Sequence, residues 1–221
     1  MEKAIKIGVI AGTPVDTQMG VDYIQERGCE ALGFACSADA AAQNEMQILH
    51  KEELLAIAIA GCRSMVERGA GGIFVNCNSL SGSVDLAALR RALPVKVVTP
   101  LDVYTRCARR YDRLAVLSAN GQSLAAIERT ILAANPDCTV FGAGLLPLVQ
   151  AIETGERPEE ICRRLALTAL TDSFEAIGCQ ALILGCTHYP YIENVLRAHV
   201  GTEVINPSGE MLAMLTEEST N

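Results

Sequence analysis

Short apolar runs alternate along this chain with longer stretches in which apolar residues return every three or four positions. The apolar runs predict strands over 5–11, 31–36, 72–76, 95–98, 113–118, 139–141, 181–184 and 203–205. The longer stretches predict helices, notably over 44–68, 83–92, 121–134, 158–177 and 190–199. In the first of these, Met46, Leu49, Leu54, Ile57 and Met65 recur near the helical period. Strand and helix in strict alternation imply parallel sheets covered by helices, so the expected class is α/β.

The pattern also repeats on a larger scale. Gly69-Ala-Gly-Gly-Ile-Phe-Val-Asn-Cys77-Asn-Ser matches Gly178-Cys-Gln-Ala-Leu-Ile-Leu-Gly-Cys186-Thr-His at a step of 109 residues. Each is a helix-ending glycine, a strand, a cysteine and two polar residues. Lys6-Ile-Gly-Val-Ile-Ala matches Arg113-Leu-Ala-Val-Leu-Ser at a step of 107, and each runs into a loop with glycine, Gly12 and Gly121. Val97-Val-Thr-Pro100 matches Val204-Ile-Asn-Pro207, again at 107, each opening a helix with proline near its first turn. Three matches in one order predict two similar α/β domains related by pseudo-twofold symmetry. The expected division is 1–99 plus 206–221, and 100–205.

Charge narrows the ligand. The net charge over 221 residues is −8 and no Lys/Arg run occurs, which argues against nucleic acid and anionic membrane as partners. A small anion remains open, because backbone N–H groups at helix N-termini hold one without a cation. The N-terminal MEKAIKIGVIAG lacks a signal-peptide core. The apolar stretch 54–60 is short and lies beside Lys51, Glu52 and Glu53, so no membrane span and a cytoplasmic location are expected.

The nine cysteines are odd in number and include no C-x-x-C, so neither a zinc ribbon nor a thioredoxin-type site is supported. By default each thiol is a small buried apolar side chain. Cys77 and Cys186 stand apart because the repeat gives them equivalent places. Each lies just past the end of a parallel strand and before a helix, where α/β sheets take ligands.

A pseudo-twofold pair of strand ends facing a cleft brings one thiol to each side of a bound ligand, which suits racemisation. A base takes the proton from a tetrahedral carbon, and an acid on the opposite face returns one. One thiol must start as thiolate, and the strand–Cys–helix layout is expected to favour that form through helix N-terminal N–H groups. His188 is placed to exchange a proton beside Cys186. Asn78, Ser79 and Thr187 supply neutral hydrogen bonds for a carboxylate. The plainer alternatives are strand-end cysteines, a packed histidine, and Asn78-Ser79 as a helix cap.

At these motifs the sequence resembles the aspartate/glutamate racemase superfamily. Leu184-Gly-Cys-Thr-His-Tyr-Pro190 is similar to the glutamate racemase signature around the second catalytic cysteine, and Asn76-Cys77-Asn78-Ser79 to the first. The resemblance implies two α/β domains with the active site between them, no cofactor or metal, and Cys77 and Cys186 as acid and base. It places Asn78, Ser79, Thr187 and His188 in the site. It adds the loops after the first strand of each half, Gly12-Thr13-Pro14 and Ala119-Asn120-Gly121, as substrate-binding. Glutamate racemases usually carry Asp-Ser-Gly after the first strand. Here that place reads Ala11-Gly12-Thr13, so the acid that would assist the first thiol is missing, and Asp16 follows in a position the sequence leaves open.

The expected function is a cofactor-independent racemase of an acidic amino acid, with a small-molecule amino-acid substrate and assembly as a homodimer. Two alternatives remain: a related isomerase or decarboxylase acting on another small carboxylate, and a non-catalytic small-molecule-binding α/β protein.

Overall fold

The computed structural model describes residues 5–38 and 51–216. The start of the helix expected over 44–68, with Met46 and Leu49, and also His50, lie outside the described residues.

The chain forms two compact units. One takes the described residues up to Pro100 together with those from Ser208 on; the other is Leu101–Pro207. The first unit is built on four parallel strands, β1 (Lys6–Ala11), β2 (Glu30–Ala35), β3 (Gly72–Val75) and β4 (Lys96–Val98), in the order β2-β1-β3-β4. Its helices are α1 (Pro14–Gln25), α2 (Lys51–Glu67), α3 (Asn78–Ser83) and α4 (Leu86–Arg91). The second unit begins with α5 (Pro100–Arg110), whose first residue closes the other unit, and has strands β5 (Arg113–Ser118), β6 (Thr139–Gly144), β7 (Ala181–Gly185) and β8 (Glu203–Ile205) in the order β6-β5-β7-β8. Its further helices are α6 (Gly121–Ala134), α7 (Leu146–Glu153), α8 (Pro158–Arg164), α9 (Leu167–Ala176) and α10 (Glu193–His199). Helix α11 (Pro207–Thr216) follows β8.

The repeat read from the sequence is present in the hydrogen-bond register. Lys6 pairs with Glu30 and Ile7 with Gly72; at the same steps, Arg113 pairs with Thr139 and Leu114 with Ala181. Gly72 pairs with Lys96, and Ala181 with Glu203. The two sheets therefore share topology and register. In each, the two inner strands are nearly all buried, because helices cover both faces. Ile10, Ala58, Cys62, Met65, Ile73 and Val75 form the first core, and Leu117, Ile161, Phe174, Leu182, Leu184 and Leu196 belong to the second.

All eight expected strands form, with shifts of a residue or so at most ends; β6 runs three residues further, to Gly144. Three helical stretches differ from expectation. The one over 83–92 begins later, at Leu86, because Asp85 caps it and accepts from the Ala88 N–H at 2.9 Å. The stretch 158–177 is two helices, since Ala166 adopts left-handed backbone (φ 49°) between them. The stretch 190–199 opens with a 3-10 turn over Tyr189–Ile192 before α10.

Helix α11 belongs to the unit that β8 does not. The Lys96 ammonium donates to the Met214 carbonyl. Leu215, 8% exposed, lies where it would stand 2.9 Å from a Cβ built on Gly72 of β3. Leu215→Ala is expected to lower stability by about 2 kcal/mol, read from the urea midpoint. Amide-exchange protection should weaken in β3 and β4 before it weakens in β7 and β8.

Candidate active site

The first thiol is positioned by strand β3, whose four residues are all buried. Cys77 follows in extended backbone (φ −160°, ψ 120°) and caps α3, with the Leu80 N–H donating to its Sγ at 3.4 Å. Beside it stands the loop after β1. Thr13 caps α1: the Asp16 N–H donates to the Thr13 Oγ1 at 3.1 Å, and the Thr13 hydroxyl donates to the Asp16 carboxylate at 3.0 Å. Asp16 is 6% exposed and acts electrostatically on Cys77. The carboxylate absent from the loop itself is thus supplied one helical turn later.

The thiolate expected for Cys77 is not favoured. Its thiol is pushed up to about 11, chiefly by burial and then by the Asp16 charge. The N–H groups of Leu80, Gly12 and Ser79 pull the other way and are outweighed. Helix-terminal N–H groups do act on Cys77, but burial and the Asp16 charge act more strongly. Cys36 and Cys62, in the same core, are pushed up to about 12 by burial, Cys36 also feeling Cys77.

The second thiol follows β7 in the same way but has different company. His188, 7% exposed, turns Nδ1 toward the Cys186 Sγ at 3.7 Å and toward the Thr187 hydroxyl at 3.4 Å. Its Nε2 lies 3.1 Å from the carboxylate of Glu153, at the end of α7. With the Nε2 proton donated to Glu153, Nδ1 is left to accept from the thiol, so Cys186, His188 and Glu153 lie in one line of hydrogen-bonding groups. Tyr189, fully buried, donates from its hydroxyl to the carbonyls of Ser118 (2.8 Å) and Leu145 (3.2 Å), tying together the ends of β5 and β6. Burial, and secondarily Cys186, raises its phenol.

The structure brings Gly12, Thr13, Cys77 and Ser79 together in the first unit, with Asn78 opening α3. In the second it brings together Cys186, Thr187 and His188. Asn120 caps α6 beyond the neighbouring strand, accepting from the Ser123 N–H at 2.9 Å. Sequence reasoning missed Glu153, which lies 35 residues from His188 with no motif around it, and Tyr189 and Asn76 as braces. Among the described residues no cluster of three or more His, Cys, Asp or Glu is arranged to hold a metal ion, and no helix is long and apolar enough to cross a membrane.

Two like α/β units, each ending its third strand in a buried thiol, define a repeated α/β fold with one cysteine at equivalent strand ends. The chain belongs to the Asp/Glu/hydantoin racemase family, whose pattern it matches over residues 102–215. A glutamate racemase from Limosilactobacillus reuteri is 25% identical over 172 residues, 76% of this chain and 64% of that protein. The chain thus spans less than two thirds of that relative's length. The fold is shared with the glutamate racemase from Francisella tularensis in complex with D-glutamate (TM-score 0.67, 20% identity, 96% of this chain and 79% of that one). It is shared equally with the allantoin racemase from Klebsiella pneumoniae (TM-score 0.67, 20% identity, 96% and 86%).

Replacing Tyr189 by Phe is expected to cost about 1 kcal/mol, since both carbonyls keep backbone donors while losing the phenol. Thermal unfolding of the variant against the parent protein measures this.

Proposed function

We propose that the protein is a cofactor-independent racemase of an acidic amino acid, glutamate or aspartate, that works through two thiols. The observation that carries the reading is that each unit sets one cysteine at the carboxyl end of its third strand with its own charged or titratable neighbour: the Asp16 carboxylate acting on Cys77, and His188 backed by Glu153 beside Cys186. In this mechanism one cysteine, as thiolate, takes the proton from Cα. The thiol of the other cysteine delivers a proton to the opposite face. The substrate leaves inverted, and each cysteine leaves in the state in which its partner began. Asn78, Ser79 and Thr187 bind the substrate's carboxylates, with the loops of Gly12, Thr13 and Asn120 closing on it. His188 takes the Cys186 proton when that residue must become the base. Neither metal nor pyridoxal phosphate takes part, and the working form is a homodimer.

The test is a screen of the purified protein against L- and D-amino acids, with 5-substituted hydantoins as competing substrates, read by chiral chromatography after treatment with chelator. Inversion of glutamate or aspartate supports the reading; inversion of hydantoins alone replaces the substrate while keeping the class. Cys77→Ala and Cys186→Ala should each abolish inversion in both directions, and near-normal turnover by both would overturn the two-thiol mechanism. His188→Asn should lower kcat about 100-fold.

Half-reactions separate the thiols. With an amino acid carrying a β-leaving group, a single proton abstraction is enough for elimination. By resemblance to glutamate racemases, the Cys186→Ser variant, left with Cys77 as base, should act only on the D form, and the Cys77→Ser variant only on the L form. Because Cys77 is active as thiolate and its thiol is raised to about 11, elimination by the Cys186→Ser variant should climb with pH through the alkaline range, about tenfold per pH unit until it levels near that value. A plateau already reached near pH 7 would show that Cys77 is a thiolate at rest.

A further inference from the structure

Asn76, the residue before Cys77, is absent from the mechanism above, yet its side chain is almost wholly buried at 6% exposure. Its Nδ2 donates to the backbone carbonyl of Asp16 at 2.8 Å, a bond spanning 60 residues of sequence. Its own N–H donates to the Ile10 carbonyl at 2.8 Å, continuing the β1–β3 ladder one step beyond the strand. Asn76 is therefore fixed at both ends: its backbone to the sheet, its side chain to the first turn of α1.

That turn comes unusually close. A Cβ on Gly20, one turn after Asp16, would lie 2.9 Å from the Asn76 Nδ2 and 3.0 Å from its Cβ. Helix α1 can lie against Asn76 only because this position has no side chain. Thr13 orients the Asp16 carboxylate from the other side.

The second unit has no such device. At the steps of the repeat, Asp16 corresponds to Ser123 and Asn76 to Gly185. A Cβ on Gly185 would stand 2.8 Å from the Leu117 carbonyl oxygen and 2.6 Å from the Ile127 Cδ1, so no side chain fits there. An acid at position 16 and an amide at position 76 occur together in one half, and both are missing from the other.

We propose that Asn76 is a positioning residue that holds the first turn of α1 so that the Asp16 carboxylate keeps its place within electrostatic reach of Cys77, the next residue along the chain, and that it acts on this thiol alone. The idea deepens the racemase reading and rests on it for its catalytic meaning. The coupling itself is a property of the folded protein and can be measured without turnover.

The experiment follows alkylation of Cys77 and Cys186 by iodoacetamide against pH, with each peptide quantified by mass spectrometry. Asp16→Asn, which keeps the shape and removes the charge, should move the Cys77 midpoint down by on the order of one pH unit. Asn76→Ala should move it in the same direction, and the double variant should add nothing further, since both act through one carboxylate. The Cys186 profile should stay in place in all three. Simple loosening of the fold would rehydrate the Cys77 thiol and lower its midpoint even without the Asp16 charge, so its effect would add to that of Asp16→Asn in the double variant, which separates a merely structural role. Asn76→Ser, a smaller cut into the core, repeats the measurement should the alanine variant fail to fold.

An unmoved Cys77 midpoint in the Asn76 variants, or additive shifts in the double variant, would overturn the proposal. If the parent protein inverts no substrate, the racemase reading fails while the alkylation profiles still decide whether Asn76 couples Asp16 to Cys77.

Discussion

Strand β1 is bonded on both sides at once, and everything around the first thiol depends on that. Ile10 sits between Phe34 of β2 and Val75 of β3, and the ladder runs past the strand ends through Cys36 N–H to the Ala11 carbonyl and Asn76 N–H to the Ile10 carbonyl. Parallel pairing sends all three chains out of the sheet on the same side. The loops that follow are then forced together: Gly12-Thr13 above β1, Ser37 donating to the Gly12 carbonyl at 2.6 Å, and Cys77 at the start of α3. The cysteine meets Asp16 because sheet register leaves these segments little freedom, and no long-range charge attraction is needed to assemble them.

The second unit repeats the frame and changes the chemistry. Strand order and register are the same, and N-caps recur at Thr13 and Asn120, 107 residues apart. The groups beside the thiols do not recur. The first thiol has a carboxylate that accepts from the Thr13 hydroxyl, which itself accepts from the Asp16 N–H. The second has an imidazole whose far nitrogen meets a half-exposed carboxylate. A carboxylate beside a buried thiol opposes its ionisation, whereas an imidazole can take the thiol's proton and spread the resulting charge. Two equivalent positions of the repeat thus carry different electrostatic company.

Most of the frame was legible because parallel strands buried on both faces read as plain apolar runs, as in Leu182-Ile-Leu and Ile73-Phe-Val. Cys77 and Cys186 were legible through the repeat. What was not legible has physical reasons. Glu153 reaches His188 through tertiary packing alone, with nothing local to mark it. Asp16 lies beyond the loop where an acid was looked for, and only the capping geometry of Thr13 turns it inward. Helix α1 carries Gly20 within it, a residue that weakens a helix signal but here permits contact with β1 and Asn76. The raised Cys77 thiol depends on burial, which a motif does not report.

The exchange of last helices has a consequence for how the protein is made. Residues 101–207 are one uninterrupted span, whereas the other unit is finished by α11. Lys96 is 118 residues upstream of Met214, the carbonyl it binds. At translation rates of 5–20 residues per second, the edge of the first sheet waits on the order of ten seconds for its cover. The half that leaves the ribosome first is therefore completed last, and the later half has all its parts before the earlier one does. During that interval β3 exposes the apolar surface that Leu215 later covers, so the first unit stays open to aggregation and to chaperones while the second is being made.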